Sequence, residues 1–160
     1  MKMPRLALPV AHTIWLVGMP GSGKTTIDRA MKGCDTDDLF DGELQLKAEG
    51  CETPAEFYLE EMELIVKYAS TNPVGVVATG GSAVHRSEAV QAMRNVPNSI
   101  VVWLDCPLHT LVDRCGDLSE RGVVMPDPKM TFGKLMAYRK RLYSSAADIR
   151  IRTTERNTVE

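Results

Sequence analysis

The chain has 160 residues, 44% of them hydrophobic and 25% charged, with a formal net charge of -2. That suffices for one compact domain with its own core, and residues 1–160 are expected to form one. The charge balance argues against a nucleic-acid-binding face, which is usually basic. No apolar run approaches the roughly 20 residues that span a bilayer, so no membrane partner is expected either.

Residues 1–12 include Leu6-Ala7-Leu8-Pro9-Val10-Ala11, too short and proline-broken for a signal peptide, and read as a loose arm. Thr13-Ile14-Trp15-Leu16-Val17 is a short run rich in β-formers. Gly18-Met19-Pro20-Gly21-Ser22-Gly23-Lys24-Thr25-Thr26 follows and fits GxxxxGK[ST], with a helical pattern running on to Lys32. Strand, glycine loop and helix are the context this phosphate-binding pattern requires. Gly21, Ser22 and Gly23 let backbone N–H groups face a phosphate, and the helix N-terminus adds positive potential. Lys24 can bridge the β- and γ-phosphates of a nucleoside triphosphate, and the Thr25 hydroxyl can ligate Mg²⁺, with Thr26 beside it. The competing reading is a glycine-rich turn that matches by chance.

Thr53, Pro54 and Glu56 form a helix start with a capping box. Behind it run two apolar stripes, Phe57-Leu64-Tyr68 and Tyr58-Met62-Ile65. Val74–Thr79 reads as a buried strand ending at Gly80 and Gly81, where the absence of side chains lets amides approach a ligand or simply permits a tight turn. Helices are expected over 87–94 and 107–115, with a buried strand over 100–105 between them. Residues 116–128 are polar, contain glycine and two prolines, and read as a mobile lid. A last helix covers 134–147, and 149–153 alternates like an edge strand. Arg139 falls on the apolar stripe of that helix with Leu135 and Leu142. An inward arginine needs a partner, either a protein carboxylate or a bound anion.

Alternating strands and helices predict a parallel α/β sheet with helices on both faces, the P-loop NTPase type. Cys34, Cys51, Cys106 and Cys115 show no C-x-x-C spacing and read as thiols of a reducing cytoplasm. His12, His85 and His109 are scattered, which argues against a histidine metal site. No N-K-x-D guanine motif is present.

The ordered set resembles the shikimate kinase family of small P-loop kinases. It comprises the glycine loop, Asp35-Thr36-Asp37, Ala78-Thr79-Gly80-Gly81-Ser82-Ala83-Val84, Arg114 before the lid, and Arg139-Lys140-Arg141-Leu142-Tyr143. The resemblance implies a sheet of about five parallel strands and transfer of the γ-phosphoryl of ATP to a hydroxyl of shikimate, in aromatic amino-acid biosynthesis. It also implies that Asp35 holds a metal-bound water and Asp37 orients the attacking hydroxyl. Arg114 would stack on adenine, Arg121 would close from the lid onto the γ-phosphate, and Arg139 would hold the substrate carboxylate. For the aspartates and Arg114, solvated surface residues remain the alternative, and for Arg139 a structural salt bridge. The expected partners are ATP and a small hydroxyl compound, with the chain a monomer or weak homo-oligomer.

Four departures bear on these expectations. Tyr58 stands where the family has a second substrate arginine, next to a matching Glu61, which points to weaker shikimate binding or another small hydroxylated substrate. The lid shows Arg121-Gly122-Val123 rather than Arg-Pro-Leu. About ten residues separate Lys24 from Asp35; a helix of about seven residues rises roughly 10 Å and two or three extended residues recover about 7–10 Å. A two-turn helix and a stub of a second strand are expected, with Asp38 able to replace a displaced aspartate. Residues 153–160 are also short and polar where the family adds a covering helix, so that edge would be exposed, covered by a partner subunit, or shortened. A nucleotide-binding module without useful catalysis is the reading of another class.

Overall fold

A computed structural model describes residues 13–35, 50–116 and 123–153. The elements run β1 (Thr13–Val17), α1 (Lys24–Ala30), β2 (Cys34–Asp35), α2 (Pro54–Ala69), β3 (Gly75–Ala78), α3 (Ser87–Asn95), β4 (Ser99–Asp105), α4 (Leu108–Cys115), α5 (Phe132–Ala146) and β5 (Ile149–Arg152). The described strands form one five-stranded sheet in the order β2-β3-β1-β4-β5, with every pairing parallel.

β1 lies at the centre because its residues are apolar on both faces. Trp15 and Val17 point into the core beneath α2 to α5, where Ile65, Met93, Leu111, Leu135 and Tyr143 pack. Ile14 and Leu16 alternate to the other face, where Val76, Val102, Leu104 and Ile27 of α1 meet them. Helices therefore cover both faces. Trp15 also meets Tyr68 edge-on, with ring centroids 6.1 Å apart.

The register decides where the site falls. Leu16 pairs with Ala78 and with Val102, and Asp35 pairs with Ala78. The C-terminal ends of β1, β2 and β3 thus open at one edge, where ligands sit in such sheets. The short first helix and the two-residue second strand match the residue count after Lys24. Asp148 sets the edge strand: its N–H donates to the Val101 carbonyl, and its Oδ2 accepts from the Val101 N–H at 2.8 Å. β5 then runs beside β4 and is exposed along its length.

Two helices differ from expectation in detail. α5 starts at Phe132 because Thr131 caps it, its Oγ1 accepting from the Lys134 N–H. In α2, Thr53 accepts from the Glu56 N–H as the capping box requires, but Glu56 turns back to the N–H of Glu52 rather than of Thr53. The buried face of α2 is Tyr58, Glu61, Leu64, Ile65 and Ala69, so a carboxylate enters the interior beside the apolar stripes.

Candidate active site

The glycine loop leaves β1 at Gly18 and turns into α1. Gly21 has φ of +80°, and a Cβ there would sit 2.5 Å from the Cys115 sulfur. Conformation and space both demand glycine. Gly23, at φ of +97°, caps α1, and nothing lies within 4 Å of where its side chain would be. That space faces the N-terminus of α1, as a phosphate cradle requires. Ser22 is buried and its N–H donates to the Met19 carbonyl at 3.1 Å. Lys24 is buried too, and Nζ donates to the carbonyls of Gly18 at 2.7 Å and Met19 at 2.9 Å. The loop so brings its one ammonium to its own mouth. Thr25 is half-buried in the first turn of α1, while Thr26 is exposed. Arg114, exposed at the end of α4, donates from Nη1 to the Gly21 carbonyl at 3.0 Å, and the Cys115 thiol donates to Pro20 at 3.3 Å. Arg114 therefore lies over the loop that would hold the nucleotide and braces it.

Across the loop stands the second half of the site. A Cβ on Gly81 would meet Pro20 Cδ at 2.9 Å and Arg139 Nη1 at 3.0 Å. Gly81, after Gly80 at the end of β3, thereby joins the glycine loop to α5. The Tyr143 hydroxyl donates to the Gly81 carbonyl and fixes the turn; burial pushes that phenol well above its usual range, so it stays a donor.

Arg139 is 1% exposed. Nε donates to His85 Nε2 at 3.0 Å, and Nη2 donates to the Val124 carbonyl at 3.0 Å. Nη1 makes no hydrogen bond. Among the described residues no carboxylate lies within ion-pair distance of it. The structural salt bridge is thus replaced by a histidine, a carbonyl and one unsatisfied donor beside Gly81. Tyr58 is buried next to it. Its hydroxyl donates to the same Val124 carbonyl at 3.0 Å, and its ring stacks on His85 with centroids 4.0 Å apart. Burial raises the Tyr58 pKa, with the Arg139 charge working against that rise. His85 is pushed down to about 4, first by burial and then by the Arg139 charge, so it is a neutral acceptor near pH 7.

Glu61 is 5% exposed and accepts from the Ser82 hydroxyl at 2.7 and 3.1 Å. Ser82, third in the Gly-Gly-Ser run, therefore engages the carboxylate left beside Tyr58. Sequence reasoning missed this pair, as it missed His85 and the Val124 carbonyl. Residues 123–125 of the expected lid are half-buried, with Val124 held by Tyr58 and Arg139. Asp37 and Arg121 lie outside the described residues, as do Asp38 and residues 117–122 of the lid. Asp35 is placed by its backbone at the ligand edge, opposite Ala78.

The donor chemistry suits Mg²⁺. Thr25 and Asp35 offer a hydroxyl and a carboxylate, both hard oxygen donors, and Mg²⁺ keeps several waters and leans on phosphate. Among the described residues no group of three or more His, Cys, Asp or Glu is gathered to hold a metal alone. No helix among them is long and apolar enough to cross a membrane.

A parallel sheet with a glycine loop, a buried lysine at its mouth and a facing polar pocket defines a small P-loop phosphotransferase. The shikimate kinase family profile matches residues 20–160. A shikimate kinase of Symbiobacterium thermophilum is 34% identical over 155 residues, covering 90% of this chain and 88% of that protein. One from Rhodococcus jostii is 30% identical, covering 89% and 88%. Among solved structures, shikimate kinase from Acinetobacter baumannii in complex with shikimate superposes with a TM-score of 0.70 at 25% identity, over 91% of this chain and 86% of that one. The chain belongs to the shikimate kinase family, ATP- and Mg²⁺-dependent phosphotransferases with an alcohol group as acceptor.

Proposed function

We propose that the chain transfers the γ-phosphoryl group of ATP to a hydroxyl of shikimate, giving shikimate 3-phosphate for aromatic amino-acid synthesis. One observation carries this reading: Arg139 Nη1, buried and without a hydrogen-bond partner, stands beside Gly81 across from the phosphate loop. A buried charged donor left unpaired is costly, and a substrate carboxylate would satisfy it. The fit to the family supports shikimate over another small hydroxylated acceptor or a module without catalysis.

The roles are those the family resemblance implies, and for the described residues the geometry supports them. Gly21, Ser22, Gly23, Thr25 and Thr26 would present the loop to the phosphates, with Lys24 turning from the Gly18 and Met19 carbonyls to the β- and γ-oxygens. Thr25 and Asp35 would hold Mg²⁺, directly or through water; the ion would neutralise the charge of the transferring phosphoryl group. Arg114 would flank adenine while bracing Gly21. Asp37 would orient the attacking hydroxyl and Arg121 would close onto the γ-phosphate. Gly80 and Gly81 would let the substrate approach the backbone, Arg139 would take its carboxylate, and Tyr58 would line that side. Catalysis of this kind is mainly positioning and charge stabilisation.

Residues 1–160 are read as one kinase domain, monomeric or weakly self-associating. The buried thiols Cys106 and Cys115 suit the reducing cytoplasm. The reading is tested by ADP release from Mg-ATP with and without shikimate. Shikimate-dependent release bears it out. ATP binding with no response to shikimate refutes it and directs the search to other alcohols.

A further inference from the structure

Arg139 presents three nitrogen sites in one plane, and two are committed. His85 takes Nε and Val124 takes Nη2, both at 3.0 Å. Turning the guanidinium would break both bonds at once inside the protein. Val124 alone would not define that plane; the second fixed acceptor is His85 Nε2. The imidazole is itself held, by Tyr58 at 4.0 Å and Tyr138 at 5.6 Å between ring centroids. Among the described residues, Tyr58, Tyr138 and Arg139 are the titratable or charged groups facing it.

The choice of acceptor has a consequence for the ligand. An aspartate or glutamate on Nε would neutralise Arg139 and compete with an incoming anion. A neutral imidazole orients the guanidinium and leaves its charge to the substrate. Accepting at Nε2 also fixes the tautomer, with the proton on Nδ1. Glu61, an acidic side chain buried in α2, accepts from the Ser82 hydroxyl.

We propose that His85 is a positioning and specificity-determining residue: it locks Arg139 so that Nη1 alone is presented beside Gly81, making a one-pronged clamp for a substrate carboxylate. This deepens the shikimate reading and rests on it for the identity of that carboxylate. Tyr58 backs the imidazole and shares the Val124 carbonyl, so a single arginine with a built seat serves where two arginines are usual.

The test compares shikimate with its neutral methyl ester in the wild type, His85→Leu and His85→Gln. Leucine removes the acceptor. Glutamine can return an acceptor at the reach of Nε2. The clamp predicts a KM for shikimate raised about 10- to 100-fold in His85→Leu, the usual worth of a charge-assisted hydrogen bond. The KM for ATP and the weak KM for the ester should stay within about twofold, and His85→Gln should recover most of the loss. Equal shifts for acid and ester, or an unchanged KM for shikimate, would overturn the clamp. Nitrogen-15 spectra of the ligand-free wild type separate this from a failure of the shikimate reading. A bare Nε2 with the proton on Nδ1 supports the clamp whatever the acceptor proves to be, and a protonated Nε2 at neutral pH sinks it.

Discussion

The two halves of the site are built by opposite means. The phosphate side is backbone: a loop of consecutive residues whose glycines at positive φ open space at a helix N-terminus, with one lysine folded to its mouth. The facing pocket, proposed for the substrate carboxylate, is mainly side chain: Tyr58, His85, Arg139 and the Val124 carbonyl converge from four distant segments. The first half tolerates little change in residue type at fixed positions. The second depends on contacts between residues far apart in sequence, such as the Ser82 hydroxyl donating to Glu61.

Several changes would break or sharpen that contrast. The largest effect is expected at the loop lysine. Lys24→Met should lower the single-turnover rate of phosphoryl transfer about 10³-fold, the scale of losing a preorganised charge at the reacting group. A loss under tenfold would remove Lys24 from the reaction. On the other side, Tyr58→Arg should tighten shikimate binding about 10- to 100-fold by returning a charged contact. Titration calorimetry giving an unchanged affinity would count against Tyr58 lining the substrate pocket.

Gly21→Ala should lower folding stability by about 1–3 kcal/mol, from positive-φ strain and overpacking against Cys115. Adding Cys115→Ala should return part of the loss in denaturant titrations, because the sulfur 2.5 Å from the new Cβ is gone. No recovery would mean that the strain lies wholly in the backbone. The last effect is on pH. His85 titrates at about 4 when folded, below its ordinary 6.5, so between these values the unfolded chain binds the extra proton. Its contribution to stability is complete above about pH 6.5 and is lost as pH falls toward 4. Denaturation midpoints measured across that window should decline, and less so in His85→Gln.

How much was legible in the sequence follows the same divide. The glycine loop could be read because its geometry depends on contiguous residues. The stub of β2 could be read from the residues available between Lys24 and Asp35, and the edge position of β5 from its alternation. That Arg139 faces inward followed from its helical stripe, and that it needs a partner followed from burial. The partner itself was not legible. His85 lies 54 residues away in sequence, Tyr58 is 66 from Val124, and Tyr143 is 62 from Gly81. Such links are made by tertiary packing, which brings an unremarkable histidine after a glycine turn onto the end of an arginine. A reading confined to spacing sees His85 as one of three scattered histidines. The entry of Glu61 into the interior was equally hidden, because its stabiliser, Ser82, lies 21 residues away in sequence.

The most direct test of the account is shikimate binding, by calorimetry, to the wild type and to Arg139→Leu, with ATP binding and thermal stability measured beside it. The account predicts that the wild type binds shikimate and that the variant loses about 100-fold in affinity for it, since Nη1 is the donor offered to the carboxylate. ATP affinity should be unchanged within about twofold. Equal shikimate affinity in the two proteins would contradict the central claim that Arg139 is the seat of the substrate.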